Sequence, residues 1–201
     1  HGVRTAAGET IPAGVVIDAA GANAGEFCTR SGLDLPVVAE AHEAGITEPF
    51  ARLFTAMVVD IRPAEGSKNF YFYQSARGQL VFCITPEPPI LAADRRETST
   101  FLPQVAARIV DLMPRLKNLR VRRTWRGLYP MTPDASPVVG WDCGVEGLFH
   151  VAGMCGQGFM LGPGLGEAVA RAVTGATTEK DDVVLGGFDL GRDFCKTELL
   201  K

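Results

Sequence analysis

Residues 148–175, LFHVAGMCGQGFMLGPGLGEAVARAVTG, run from a short apolar segment through a glycine-rich loop into apolar positions spaced as on a helix. Glycines between a strand and a helix free backbone N–H groups for an anion, so phosphate binding is the first chemistry to test. A dinucleotide fingerprint needs glycines at relative positions one, three and six after a strand, with an acidic residue about twenty positions on. Counted from Gly156 the sixth position is Leu161, and from Gly162 it is Glu167; both registers fail, and no Gly-Lys-Ser/Thr ending follows. From 151 to 166 the loop carries no charge, and Pro163 reads as part of the first turn of a helix in which Leu165, Val169 and Val173 share a face before Gly175 ends it. An uncharged loop of this kind offers free N–H groups and a positive dipole end to a flat, electron-rich ligand. A tight structural connection with no ligand fits the same residues.

The other reactive residue types give less. Cys28, Cys83, Cys143, Cys155 and Cys195 form no CxxC pair, and their odd number and irregular spacing match neither a disulfide framework nor a zinc motif, so no metal is expected. His42 and His150 stand without a carboxylate at a telling spacing and read as structural. Arg126 reads as a solvated strand arginine.

These residues must be positioned by a chain of 201 residues with 46% hydrophobic content, long for one domain without demanding two. Its 20 basic and 23 acidic residues are interspersed, leaving a net charge of −3 and no electrostatic footprint for nucleic acid or an anionic membrane. Small-molecule partners are the default. No apolar run approaches a membrane span and no signal peptide opens the chain, so a cytoplasmic protein is expected. The start at His1, running straight into GVRTAAGETIPAGVVIDAAGA, reads as a piece of something longer.

Residues 2–21 predict a hairpin turning at Ala7–Glu9, then a strand at Val15–Ile17 that ends in the small residues AAGA, where a flat ligand or another backbone can approach. Residues 53–62 and 69–84 predict an antiparallel meander with a turn near Ala76–Gly78. Phe101, Val105, Ile109 and Leu112 predict a helix capped by Ser99 or Thr100 and covering one face of that sheet. Residues 119–129 read as a strand, and MTPDASPVVG as a turn.

The order of Trp125, Gly127, the Thr-Pro-Asp turn at 132–134, Pro137, Gly140, an Ala-Gly pair, then Gly-x-Gly-Phe-Met and Gly-Pro-Gly-x-Gly resembles the C-terminal part of the D-amino-acid-oxidase-like flavoprotein superfamily. VVIDAAGANA resembles the last strand of that family's FAD-binding domain, and residues 53–84 resemble its substrate-domain sheet. The resemblance implies an α+β fold. An antiparallel, mixed substrate-domain sheet covered by helices is joined to the C-terminal remnant of a Rossmann-like FAD-binding domain. The implied boundaries are 1–35 for the last hairpin and strand of the FAD-binding domain, 36–130 for the substrate domain, and 131–201 for the return to the FAD-binding domain.

By the same resemblance, FAD is held by Ala20, Gly21, Ala22, Gly127, Gly153, Met154, Gly156, Gln157, Gly158, Phe159 and Met160, with the loop at 153–160 against the flavin ring. Oxidation of an amine or amino-acid C–N bond by hydride transfer to flavin N5 is the implied reaction. Tyr129 stands where glycine oxidase-like sequences have a carboxylate-binding arginine, and Met160 where sarcosine oxidase-like sequences have a lysine. That combination resembles the flavin subunits of proline or sarcosine dehydrogenase complexes. Tyr71 matches a substrate-facing tyrosine, although its alternation with Phe70 and Phe72 also fits a plain sheet-face residue. Gly127 falls where sarcosine oxidase-like proteins carry the cysteine that tethers FAD, so a covalent flavin is not implied. The family's N-terminal GxGxxG half is expected as a missing partner. Without it, this chain is expected to be inactive, to bind little FAD, and to self-associate through the strand at 15–20. A flavin-free binding or assembly module derived from the family is the alternative.

Overall fold

Runs of β-branched and aromatic residues form the strands, and apolar residues spaced three and four apart form the helices. The computed structural model describes residues 2–91 and 93–194; Cys195 and the end of the expected 131–201 segment lie outside them. A hairpin, β1 (Gly2–Arg4) and β2 (Thr10–Pro12), leads to β3 (Val16–Asp18), a 3-10 turn and α1 (Ala24–Arg30). Then come β4 (Val38–Thr47), β5 (Val58–Asp60), β6 (Ser67–Gln74), β7 (Leu80–Pro86) and α2 (Phe101–Leu112). The chain ends with β8 (Val121–Met131), β9 (Val138–Trp141), β10 (Leu148–Ala152), α3 (Gly158–Val173) and α4 (Glu179–Gly186). The fold is α+β. It divides into two compact units: Glu40–Leu128, and the residues up to Ala39 together with those from Tyr129 onward.

In the Glu40–Leu128 unit the five-stranded order is β5-β6-β7-β4-β8, with β5–β6, β6–β7 and β7–β4 antiparallel. The expected meander is present, with its turn at residues 75–79. Phe101, Val105 and Ile109 bring α2 onto Phe70, Phe72, Phe82 and Ile84, the core of this unit. Leu112, expected on the same face, is largely exposed at the helix end, and Thr100 caps α2 without a side-chain hydrogen bond. The strand expected over 53–62 is only Val58–Asp60. The Gln74 side chain explains the difference: its Oε1 accepts the Leu53 N–H at 2.8 Å and its Nε2 donates to the carbonyls of Ala51 and Gly78, so the preceding segment is tied up as a loop.

In the other unit β3 lies parallel to β10, and β10 antiparallel to β9. Alternation along β9 and β10 separates two apolar clusters. Val138 and Ala152 meet Ala24, Cys28, Leu35 and Val37 on one side; Val139 and Phe149 meet Leu165 and Val169 of α3 on the other. MTPDASPVVG is a turn only as far as Pro137. Val138 and Val139, both fully buried, continue as β9. Pro163 lies inside α3 and not in its first turn. The hydrogen bond it cannot make would go to the carbonyl of Phe159, a residue exposed to water at the start of the helix, so little is lost. α4 opens on a capping box between Thr178 and Asp181.

A charged clamp ties α2 to the strands of its unit. Arg62 donates to Asp60 at 2.6–3.2 Å, while Arg108, nearly buried, binds the Ser67 hydroxyl and the Arg62 carbonyl and sits over the Phe70 ring. Hydrogen bonds from Arg62 hold the Asp60 carboxyl down at about 2. A depressed carboxyl stabilises the fold fully above its unfolded pKa, and that contribution disappears as pH falls through the folded value. Asp60→Asn should therefore cost about 1–2 kcal/mol at pH 7, solvent around Arg62 trimming the larger figure. Urea denaturation from pH 7 to 2 should show the two curves converging at the acid end.

Candidate active site

Parallel pairing of β3 with β10 sets the site's geometry. Val16, Ile17 and Asp18 stand opposite Leu148, Phe149 and His150, so both strands end at the same edge of the sheet. In an open α/β sheet the carboxyl ends of parallel strands are where ligands bind. Beyond β3 come Ala20, Gly21 and Ala22, leading through the 3-10 turn Gly21–Asn23 into α1. Beyond β10 come Gly153, Met154, Cys155, Gly156 and Gln157, leading into α3 at Gly158. Those two expected segments are brought together.

The second segment is held in a demanding shape. Gly153 and Gly156 have φ of +65° and +87°, and Cys155 adopts +47°, a region side chains other than glycine rarely enter. A Cβ at Gly153 would lie 2.4 Å from Thr132 Cγ2, and one at Gly156 would lie 2.6 Å from the Tyr129 ring. The loop is fastened from below. Cys155 N–H donates to the Pro130 carbonyl at 3.0 Å, and its Sγ reaches the Gly153 carbonyl and the Thr132 hydroxyl. Thr132 donates to Asp134, which also accepts the Ser136 N–H and a two-pronged hydrogen bond from Arg192 at 2.9 and 3.0 Å. Burial pushes the Asp134 carboxyl upward, but Arg192, the Ser136 N–H and the Thr132 hydroxyl together outweigh it and hold its pKa below the usual range.

Past the loop, Phe159 is 98% and Met160 74% exposed at the first turn of α3. Tyr129 is half-buried, its ring against Gly156. Tyr71 and Gly127 belong to the Glu40–Leu128 unit: Tyr71 is half-buried in β6, between Val59 and Cys83 of the flanking strands, and nothing lies within 4 Å of a Cβ placed on Gly127.

Three single-residue expectations change. His150 is not alone: Nδ1 lies 3.2 Å from Asp18 Oδ2 and Nε2 3.0 Å from Asp142 Oδ2. Burial opposes a charged imidazole there, yet the two carboxylates outweigh it and hold the His150 pKa above its ordinary value. His42 pairs with Glu40 at 2.8 Å, two residues back on the same face of β4, a spacing that in a strand is telling after all. Arg126 is half-buried, donating to the Arg96 carbonyl at 2.9 Å. Asp134 and Arg192, which hold the loop, were invisible as a pair because 58 positions separate them.

A family model described as FAD dependent oxidoreductase matches residues 1–172. The chain is similar to sarcosine oxidase subunit beta of Rhizobium meliloti, 28% identical over 179 residues that cover 89% of this chain and 41% of the relative. It is 29% identical to glycine oxidase of Pseudomonas putida, over 87% of this chain and 45% of that one. Among solved structures it is similar to L-proline dehydrogenase from P. horikoshii, with a TM-score of 0.79 and 30% identity, covering 94% of this chain and 49% of that one. Glycine oxidase from Geobacillus kaustophilus gives a TM-score of 0.79 at 28% identity, covering 94% and 48%. The chain thus spans about half the length of these relatives, or less. With the motif order, the paired strand ends and the glycine loop all accounted for, the chain belongs to the FAD dependent oxidoreductase (DAO) family.

Proposed function

We propose that these residues form the flavin-ring and substrate part of an oxidoreductase acting on the C–N bond of an amino acid or a secondary or tertiary amine. The dinucleotide-binding part would come from sequence beyond these 201 residues, which contain no GxGxxG after a strand. One observation carries the reading: a small-residue strand end and a left-handed glycine loop meet at the carboxyl ends of a parallel strand pair, directly before a helix N-terminus.

The residues present fit a flavin. Ala20, Gly21 and Ala22 leave room at one strand end, and residues 153–160 offer backbone N–H groups with no competing charge at the other. Bound FAD supplies the hydride acceptor for the substrate C–H. The α3 N-terminus places a fixed positive dipole end at this edge, stabilising negative charge that grows there without reorganising. Phe159 and Met160 provide apolar surface that excludes water once covered. Tyr129, packed on the loop, is proposed to orient the amine or its carboxylate by hydrogen bonding, and Tyr71 of the Glu40–Leu128 unit is proposed as a further substrate-facing residue from the sequence resemblance. The sarcosine, glycine and proline enzymes among the relatives support an amino-acid or N-alkyl amino-acid substrate.

The complete protein, loaded with FAD, should lose its oxidised flavin absorbance on mixing with some member of a panel of cyclic and N-alkyl amino acids and simple amines. Bound FAD that no member of the panel reduces would overturn the assignment. Gly156→Val tests the loop: with φ at +87° and the Tyr129 ring 2.6 Å away, the new side chain must displace one or the other. FAD affinity should fall at least about tenfold while the far-ultraviolet circular dichroism is kept; unchanged affinity would remove residues 153–160 from the site.

The isolated 201-residue chain should be colourless. β3 is an edge strand in the order β3-β10-β9, with Ile17 47% exposed, so the chain should also self-associate, and Ile17→Lys should shift it toward monomer on gel filtration. A yellow monomer that retains stoichiometric FAD would contradict this. A complete protein that folds and never takes up FAD would instead favour a flavin-free binding or assembly module.

A further inference from the structure

Below the candidate site, on the α1 side of the sheet, three ligand-type side chains from three elements converge: Asp18 from the end of β3, Cys28 from α1 and His150 from β10. We propose that Asp18 Oδ2, Cys28 Sγ and His150 Nδ1 bind a divalent metal ion of the zinc class, separate from the flavin site.

The geometry suits an ion before one arrives. The three donor atoms lie within 4.8 Å of one another, with Asp18 Oδ2 3.2 Å from His150 Nδ1 and 3.8 Å from Cys28 Sγ. Around a tetrahedral zinc with bonds of about 2.0–2.3 Å, neighbouring ligand atoms stand about 3.3–3.7 Å apart, so small side-chain adjustments seat the ion. All three residues are buried, Cys28 and His150 completely.

The surrounding bonds prepare each ligand. Asp142 Oδ2 takes the other imidazole nitrogen at 3.0 Å, and Asp142 is itself fixed by the N–H groups of Gly144 and Val145, both 2.8 Å from its Oδ1. A carboxylate on Nε2 selects the tautomer that leaves Nδ1 free for a metal, the usual arrangement behind a metal-bound histidine. Asp18 divides its oxygens in the same way: Oδ1 accepts the Ala20 N–H at 3.0 Å, which leaves Oδ2 for the ion. One thiolate, one imidazole and one carboxylate select zinc-class ions over magnesium or calcium, and leave one coordination position for water.

Charge also balances. When the ion enters, the Cys28 thiol proton leaves to solvent and Nδ1 of His150 coordinates as the unprotonated ring nitrogen, so the thiolate and the Asp18 carboxylate together offset the two positive charges of the ion. No bond is made or broken beyond these, and no oxidant is required. The ion would cross-link β3, α1 and β10 beneath Ala20–Ala22, so its role is to hold that strand end in place.

Cobalt is the probe, because a cobalt–thiolate bond absorbs where the protein does not. Chelator-treated chain titrated with Co²⁺ should develop a thiolate-to-cobalt band saturating at one ion per chain, and Zn²⁺ should abolish the band by displacement. Thermal unfolding should shift upward with Zn²⁺. Cys28→Ala, which removes the sulfur and no other heavy atom, should remove the band, whereas Cys143→Ser should keep it. Asp142→Asn should weaken zinc about 10- to 100-fold while leaving the band. Absence of the band in chain shown to be folded by circular dichroism would overturn the site. A band that survives Cys28→Ala would also overturn it.

Discussion

Everything in the candidate site depends on the parallel pairing of β3 with β10. The two strands are separated by well over a hundred residues, so this contact carries a large loop-closure cost, set against the burial of Asp18 with His150 on the α1 face, while Ile17 on the other face of β3 stays exposed. Its register is fixed chemically as well as by packing. Asp18 stands opposite His150; a slip of one residue would turn Asp18 to the α3 side and leave the imidazole facing Ile17 or Ala19. With the register set, the two strands end together, and the small residues after one must face the glycine loop after the other.

The loop then needs its own support, because Cys155, between two glycines that turn freely, holds a φ of +47° that costs a residue with a side chain energy unless the surroundings impose it. That support is polar and buried: Cys155 to Pro130 and Thr132, Thr132 to Asp134, Asp134 to Arg192. Magnitudes separate this chain of bonds from the surface ion pairs. Breaking a buried pair such as Asp134–Arg192 strands a charge at a cost of about 3–5 kcal/mol. The exposed Glu26–Arg30 pair on α1, at a similar distance, contributes well under about 1 kcal/mol. Only the first kind can hold a strained loop.

The parts of the fold legible in the sequence are those governed by neighbours along the chain. The hairpin at 2–12, the β6–β7 meander and the buried face of α2 follow from alternation, turn residues and helical spacing. β4 was missed. Glu40, His42 and Glu43 lie buried along it, paired with one another or with Thr98, so its pattern looks polar. α3 begins earlier than its proline implies, because a proline reads as a first-turn residue, whereas the carbonyl that Pro163 leaves unbonded is open to water. The glycine loop could be recognised; what holds it could not. Asp134 finds Arg192, and Asp18 finds His150, only after the sheet has formed. Long-range charge pairing leaves no periodic trace in a sequence.

The distribution of charge in this unit restricts what can bind at the strand ends. Asp18, Asp134 and Asp181, its buried aspartates among the described residues, are each matched internally, by His150, Arg192 and Arg171 respectively. Residues 151–166 bring no charge of their own. A ligand at this edge therefore meets backbone dipoles, the positive end of α3 and apolar side chains. Fixed dipoles of this kind favour a molecule whose negative charge is diffuse or develops during reaction, because they need not reorient when it appears. The loop also offers no lysine or arginine to a ligand of concentrated negative charge. The absence of charge and the failed glycine registers both agree with the flat, polarisable ring proposed for this loop.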